Sequence, residues 1–205
     1  MRLILSLLLL LTCHCALVFA QDNKYQAIIK PGEGIGEITI GRKGIEISQI
    51  LGVPPVRKST YDEEKEALIK RNLDPKTELV FFLGFDIVVE YNISTNKTEY
   101  PIYSLYFKDG KLIYIILSSY GYDTKKCKSF GIDSKLYFGD SPEKVKQVLG
   151  SSSYRTATRS GDALSDYFSK GISVFSASKE VRTMHIYAPL DRSQIRKYLA
   201  ASHSR

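Results

Sequence analysis

Ile38-Thr39-Ile40-Gly41, followed by Ile47, Ile50, Leu51 and Gly52, returns later in the chain as Leu136-Tyr137-Phe138-Gly139, then Val145, Val148, Leu149 and Gly150. The offset is 98 at both ends, from Gly41 to Gly139 and from Gly52 to Gly150. Each copy opens with residues that alternate as a strand does, and its next apolar residues are spaced three and four apart. That spacing puts them on one face of a helix. The glycine then ends the helix, because a left-handed residue costs it least. The second copy carries Asp140-Ser141-Pro142-Glu143 at its helix start, where a capping side chain, an early proline and an early acid all favour initiation. The first has Lys43-Gly44 there and no capping side chain, so its helix is expected to start less sharply.

The correspondence continues downstream. Gly84-Phe85-Asp86-Ile87-Val88 matches Gly171-Ile172-Ser173-Val174-Phe175 at an offset of 87, and Leu112-Ile113-Tyr114-Ile115 matches Val181-Arg182-Thr183-Met184 at 69. The shrinking offset means that the first copy holds extra segments. One is a predicted helix over 61–72, rich in Glu, Lys, Ala and Leu, with Thr60 and Glu63 in capping-box positions. The other is a loop over 91–102. Tyr103 to Phe107 and Leu112 to Leu117 flank Lys108-Asp109-Gly110-Lys111, and Asp-Gly between strand-like runs predicts a tight type I′ hairpin. A final helix is predicted from Arg192 to Ala201, with Ile195, Tyr198 and Leu199 as its apolar stripe. The expected fold class is α+β. It comprises two tandem repeats, each a strand, a helix and an antiparallel meander, with the helices packed on one sheet face. The first repeat is expected over 21–123 and the second over 124–205.

Residues 1–20 read as a signal peptide. Arg2 is a minimal basic start, Leu3 to Leu11 is apolar apart from Ser6, and Val18-Phe19-Ala20 offers a cleavage site before Gln21. The run is short for a membrane span. Leu11-Thr12-Cys13 loosely resembles a lipobox, which is the weaker alternative. The expected location is therefore secreted or periplasmic. Cleavage removes Cys13 and Cys15 and leaves Cys127 alone, so no intramolecular disulfide is expected. Its neighbours Lys125, Lys126 and Lys128 favour the thiolate, which makes Cys127 a candidate reactive thiol. The chain carries 29 Lys and Arg against 22 Asp and Glu, a net charge of +7. This excess is spread out, consistent with solubility or with weak contact to an anionic surface. Asn92-Ile93-Ser94 and Asn96-Lys97-Thr98 are sequons whose use depends on the host.

The pattern of strand, glycine, helix and a Val-x-x-Val-Leu-Gly end resembles the small α+β repeat of the SmpA/OmlA family of outer-membrane assembly lipoproteins and of beta-lactamase-inhibitor-like proteins. The resemblance rests on Phe138-Gly139-Asp140-Ser141-Pro142 with Val145, Val148, Leu149 and Gly150, and more loosely on Ile40-Gly41 with Ile47 to Gly52. It covers about 36–52, 80–117 and 132–187. It implies a non-catalytic protein that binds other proteins through its sheet face and loops. The chain departs from that family in lacking a convincing lipobox, the first helix cap and a proline after Gly150.

Residue chemistry points the same way. Beyond the leader the only histidines are His185 and His203. A Cys127/His185 nucleophile pair can be written down, but nothing in the sequence brings the two together. No spacing suits a metal, and none is expected. Gly32, Gly34, Gly36 and Gly41 precede a strand, not a helix, so they do not form a dinucleotide loop. No cofactor is expected. Fourteen tyrosines with a basic balance superficially suit nucleic acid, but export argues against it. The tyrosines flanking the loop and the join between copies, Tyr100, Tyr103, Tyr106, Tyr120 and Tyr122, are the candidate protein-binding residues, since exposed tyrosine combines area, rigidity and a hydroxyl. The expected function is an exported, non-catalytic protein-binding or scaffold module with a protein partner. An exported hydrolase inhibitor, with Tyr122 and Asp123 at its tip, and a thiol enzyme are the alternatives.

Overall fold

A computed structural model describes residues 28–92, 103–119, 131–132, 135–157 and 162–203. Residues 1–27, which include the expected signal peptide, most of the 91–102 loop, the sequon at Asn96 and residues 120–130, where the join is expected, lie outside them. The fold is α+β. Three short strands come first: β1 (Ile28–Lys30), β2 (Gly34–Ile35) and β3 (Ile38–Thr39). Helix α1 (Gly44–Leu51) follows, then β4 (Arg57–Thr60), α2 (Tyr61–Lys70), a 3₁₀ turn (Pro75–Thr77) and α3 (Leu79–Leu83). Strands β5 (Ile87–Tyr91), β6 (Tyr103–Lys108) and β7 (Lys111–Ser118) complete the first half. The second half contains β8 (Gly131–Ile132), β9 (Leu136–Tyr137), α4 (Pro142–Leu149), β10 (Tyr154–Ala157), β11 (Ala163–Tyr167), β12 (Ile172–Ala177), β13 (Glu180–Tyr187) and α5 (Arg192–His203).

Local chemistry explains the element ends. Ser141 accepts a hydrogen bond from the Lys144 N–H at the start of α4, whereas Lys43 offers α1 no such side-chain bond. Thr60 and Glu63 form the reciprocal capping box of α2, with the Thr60 N–H donating to Glu63 Oε2 at 2.7 Å. Asp109 and Gly110 both have positive φ, 50° and 70°, as the type I′ turn between β6 and β7 requires.

The main sheet has eight strands in the order β10-β11-β12-β13-β7-β6-β5-β4. Each half supplies a four-stranded antiparallel meander, and the two join where β13 pairs antiparallel with β7, Ile186 opposite Ile115. The halves therefore share one sheet. A smaller sheet, β3-β2-β1-β8-β9, also draws on both, through the parallel pair β1–β8. Two pairs of backbone bonds link the loops before α1 and α4 to β7 and β13. Gly41 N–H donates to the Leu112 carbonyl (2.7 Å) and Leu112 N–H to that of Arg42 (2.9 Å). In the second half, Gly139 N–H donates to Val181 (3.0 Å) and Val181 N–H to Asp140 (2.8 Å).

Helices cover both faces of the large sheet, not one as expected. Ile115 and Leu117 of β7 join a core cluster with Ile47 and Leu51 of α1, Val145 and Leu149 of α4, and Ile29, Ile35, Ile132 and Leu136 of the small sheet. Tyr114 points to the opposite face, because strand side chains alternate. It joins a second cluster with Leu79 and Val80 of α3 and Tyr198 of α5. That second layer is built by α2, from the predicted helix over 61–72, by α3 and by α5 near the C-terminal end.

Candidate binding site

On the second face, α2 touches the core mainly through Tyr61, which packs against the second cluster. Among the ten residues of α2 none is fully buried. It is held at its start, by its capping box and by Arg57. The Arg57 guanidinium donates twice to the Glu90 carboxylate, at 2.7 Å each, and also pairs with Glu64 of α2. Its pKa is raised, chiefly by the bond to Glu90. At the other end, Tyr198 of α5 donates its hydroxyl to the Thr77 carbonyl at 2.7 Å and ties α5 to the 3₁₀ turn.

Between these fixed points lies an open cleft of about 730 Å³. One wall is the α2 stripe Tyr61, Lys65 and Ile69, continued by Asn72 and Leu73. Asp74, Pro75 and Lys76 also line it, with the rings of Phe81 and Phe82 and with Ala201 of α5. Tyr61, Phe81 and Phe85 form an aromatic trio with centroids 5.2–5.3 Å apart. Ile69 and Leu73 remain 55% and 48% exposed. The volume lies in the usual range for ligand sites, as does a mainly apolar lining with a few charged groups. A second cleft of about 410 Å³, beside the end of α4, is polar, with Glu143, Lys146 and Arg155 on its walls.

Beneath α5 sits a polar cluster that sequence reasoning missed. Asp166 is 4% exposed, and burial pushes its carboxyl up to about 6 despite a hydrogen bond with Ser173. The Ser173 and Tyr187 hydroxyls are 2.8 Å apart, and the Tyr187 ring stacks on Tyr114 at 5.3 Å. Burial raises the pKa of Tyr114, Tyr187 and Tyr198, and that of Glu78. Tyr114 Oη lies 2.8 Å from His185 Nδ1, and burial holds His185 down to about 4, so its ring is neutral near pH 7. No buried side-chain N or O among the described residues lacks a hydrogen-bond partner. The cluster is internally satisfied and structural in character. Strand alternation in β11 placed Asp166 inward, but its neighbours could be known only from the strand order.

The proposed tyrosine face is corrected in part. Tyr103 is 2% and Tyr106 is 9% exposed, so neither offers a surface to a partner. They point to opposite faces of the sheet, and both faces are covered. Tyr100, Tyr120, Tyr122 and Asp123 lie outside the described residues, as does Cys127. His185 is committed to Tyr114, and His203 Nε2 lies 3.2 Å from Tyr154 Oη on the surface. Among the described residues no group of three or more His, Cys, Asp or Glu is placed to hold a metal, and no helix is long and apolar enough to cross a membrane. Compared with known proteins, the chain matches no family model, no curated protein and no solved structure.

Proposed function

We propose that the chain is an exported, non-catalytic binding module built by tandem duplication, and that its binding site is the cleft between α2, α3 and α5. The duplication reading is supported by the paired bonds at Gly41/Leu112 and Gly139/Val181, whose spacings are those of the sequence repeat. The likeness to the SmpA/OmlA repeat is part of the same reading. Two copies merged into one sheet make a rigid frame, and the inserted helix adds a surface that the frame alone lacks. Export rests on the leader, with cleavage before Gln21.

One observation carries the choice of site: the cleft keeps Ile69 and Leu73 half exposed beside an aromatic lining, on a helix that buries nothing fully. Exposed apolar surface gathered in a concavity marks interaction sites more often than scattered apolar residues do. The self-satisfied polar cluster supports binding over catalysis, since its His185 and Asp166 are engaged with neighbours.

The test is site-specific photo-crosslinking in the exporting host. A photoreactive residue at position 69 should give a defined adduct that excess wild-type chain competes away and the Ile69→Asp variant does not. The same probe at position 144, on the exposed side of α4, should give none. Equal labelling from both positions, or none from position 69, would sink the assignment.

A further inference from the structure

We propose that the occupant of the α2–α3–α5 cleft is a monomeric single-chain amphiphile with an anionic head, such as a fatty carboxylate; this deepens the binding reading above and rests on it. The apolar part of the site is elongated. Tyr61 and Ile69 lie two turns apart on α2, and Leu73 extends the line beyond the helix end. Phe81 and Phe82 line the same cavity from α3, and Ala201 bounds it from α5. An acyl chain laid along this line would cover Ile69 and Leu73, which the fold leaves in water.

The charges select the head. The ionisable side chains lining the cleft are Lys65, Lys76 and Asp74, together with the Tyr61 phenol. Asp74 Oδ1 accepts from the Lys76 backbone N–H at 3.0 Å, a bond that neutralises no charge, so the lining holds two ammonium groups against one carboxylate. Among the described residues neither Lys65 nor Lys76 has a carboxylate within ion-pair distance, although Lys70, one turn away, pairs with Glu66. Two uncommitted ammonium groups bordering an apolar groove complement a carboxylate or phosphate on an apolar tail. The concavity favours a single extracted molecule over a bilayer. The exposed aliphatics line a concavity that also includes Ala201 of α5, and a flat membrane would not fill it.

The experiment uses the chain purified from an exporting host and the neutral fluorescent dye N-phenyl-1-naphthylamine. Dodecanoate, dodecyl maltoside and dodecyltrimethylammonium, each below its micellar concentration, serve as competitors that share one tail length and differ in head charge. Dye fluorescence should saturate, and Ile69→Asp should abolish it; the site is solvent-facing, so the variant is expected to fold, as circular dichroism would check. Dodecanoate should displace the dye at roughly tenfold lower concentration than the maltoside, with the cationic amphiphile weakest, a preference of the size two exposed charge contacts supply. Lys65→Glu with Lys76→Glu should erase or invert that order, and Lys144→Glu should leave it unchanged.

Equal displacement by all three heads would overturn the anionic assignment while leaving the cleft as a binding site. Failure of the dye and of every amphiphile would overturn the amphiphile proposal, while the crosslinking test at position 69 decides separately whether the cleft is a binding site. Co-sedimentation with anionic phospholipid vesicles without monomer binding would overturn the proposal in favour of a membrane surface. Self-association broken by Ile69→Asp, with no dodecanoate binding, would overturn it in favour of a second copy of this chain.

Discussion

Replacing Asp166 with Asn should stabilise the protein at alkaline pH and leave it unchanged in acid. The carboxyl sits on β11 under α5, 4% exposed, and no cation partner offsets its burial. Its pKa rises from 3.8 to about 6, with desolvation the largest cause; the Ser173 hydroxyl opposes the rise and the Glu78 carboxylate adds to it. A carboxyl whose folded pKa lies above its unfolded value is easier to hold as the neutral acid in the native state. Below pH 3.8 both states are protonated and the site costs nothing. Between 3.8 and 6 the unfolded chain ionises first and stability falls. Above 6 the full penalty applies. At about 1.4 kcal/mol per pKa unit, the difference between 3.8 and about 6 is worth about 3 kcal/mol. Asn keeps the shape and a hydrogen-bonding amide for Ser173 but carries no charge. The assay is urea denaturation of wild type and Asp166→Asn from pH 3.5 to 8.5, with the difference in unfolding free energy plotted against pH. Taking the difference cancels the titration of groups the two proteins share. It should climb by about 3 kcal/mol from acid to base, most steeply between about pH 4 and 6. A flat difference would refute the claim that the site is dry and without a cation partner.

Other consequences follow from the same packing. Leu51→Ala and Leu149→Ala occupy corresponding positions of α1 and α4 and are both buried in one cluster, so each should lower stability by about 2–5 kcal/mol in denaturant titration. Gly171→Ala should be severely destabilising: Gly171 has φ +66°, and a Cβ there would strike the Tyr187 carbonyl oxygen and come within 2.6 Å of Gly32 Cα. A melting temperature within 2 °C of wild type would contradict it, since a loss of about 1 kcal/mol already moves a domain of this size by about 2–4 °C. His185, held down to about 4 by burial, should remain neutral at pH 5.5 by imidazole NMR. Its contribution to stability is complete above about 6.5 and is lost as pH falls through 4; a midpoint above 6 would show the ring to be hydrated.

Much of the local structure was legible without coordinates. The helices at Gly44–Leu51, Tyr61–Lys70 and Pro142–Leu149, the hairpin at Asp109-Gly110 and the closing helix from Arg192 stand where periodicity and capping residues put them. These signals are read between residues a few positions apart, within one helical turn or across one hairpin. Tyr103 and Tyr106 were misjudged for the complementary reason. Whether either face of a strand is wet depends on what the rest of the chain lays over it: Tyr106 shares a cluster with residues of α3 and α5, and Tyr103 one with residues of α1 and α4.

The amino-acid order by itself therefore determined the building units and their ends, because those follow from short-range periodicity, caps and turn chemistry. Only the tertiary structure decided that the halves fuse through β13 and β7, that helices cover both faces, and that α2, α3 and α5 leave a cleft between them. Those outcomes depend on contacts between residues far apart in the chain, such as Tyr198 and Thr77, 121 positions apart, and such contacts form only where the whole chain can bury its apolar faces at once.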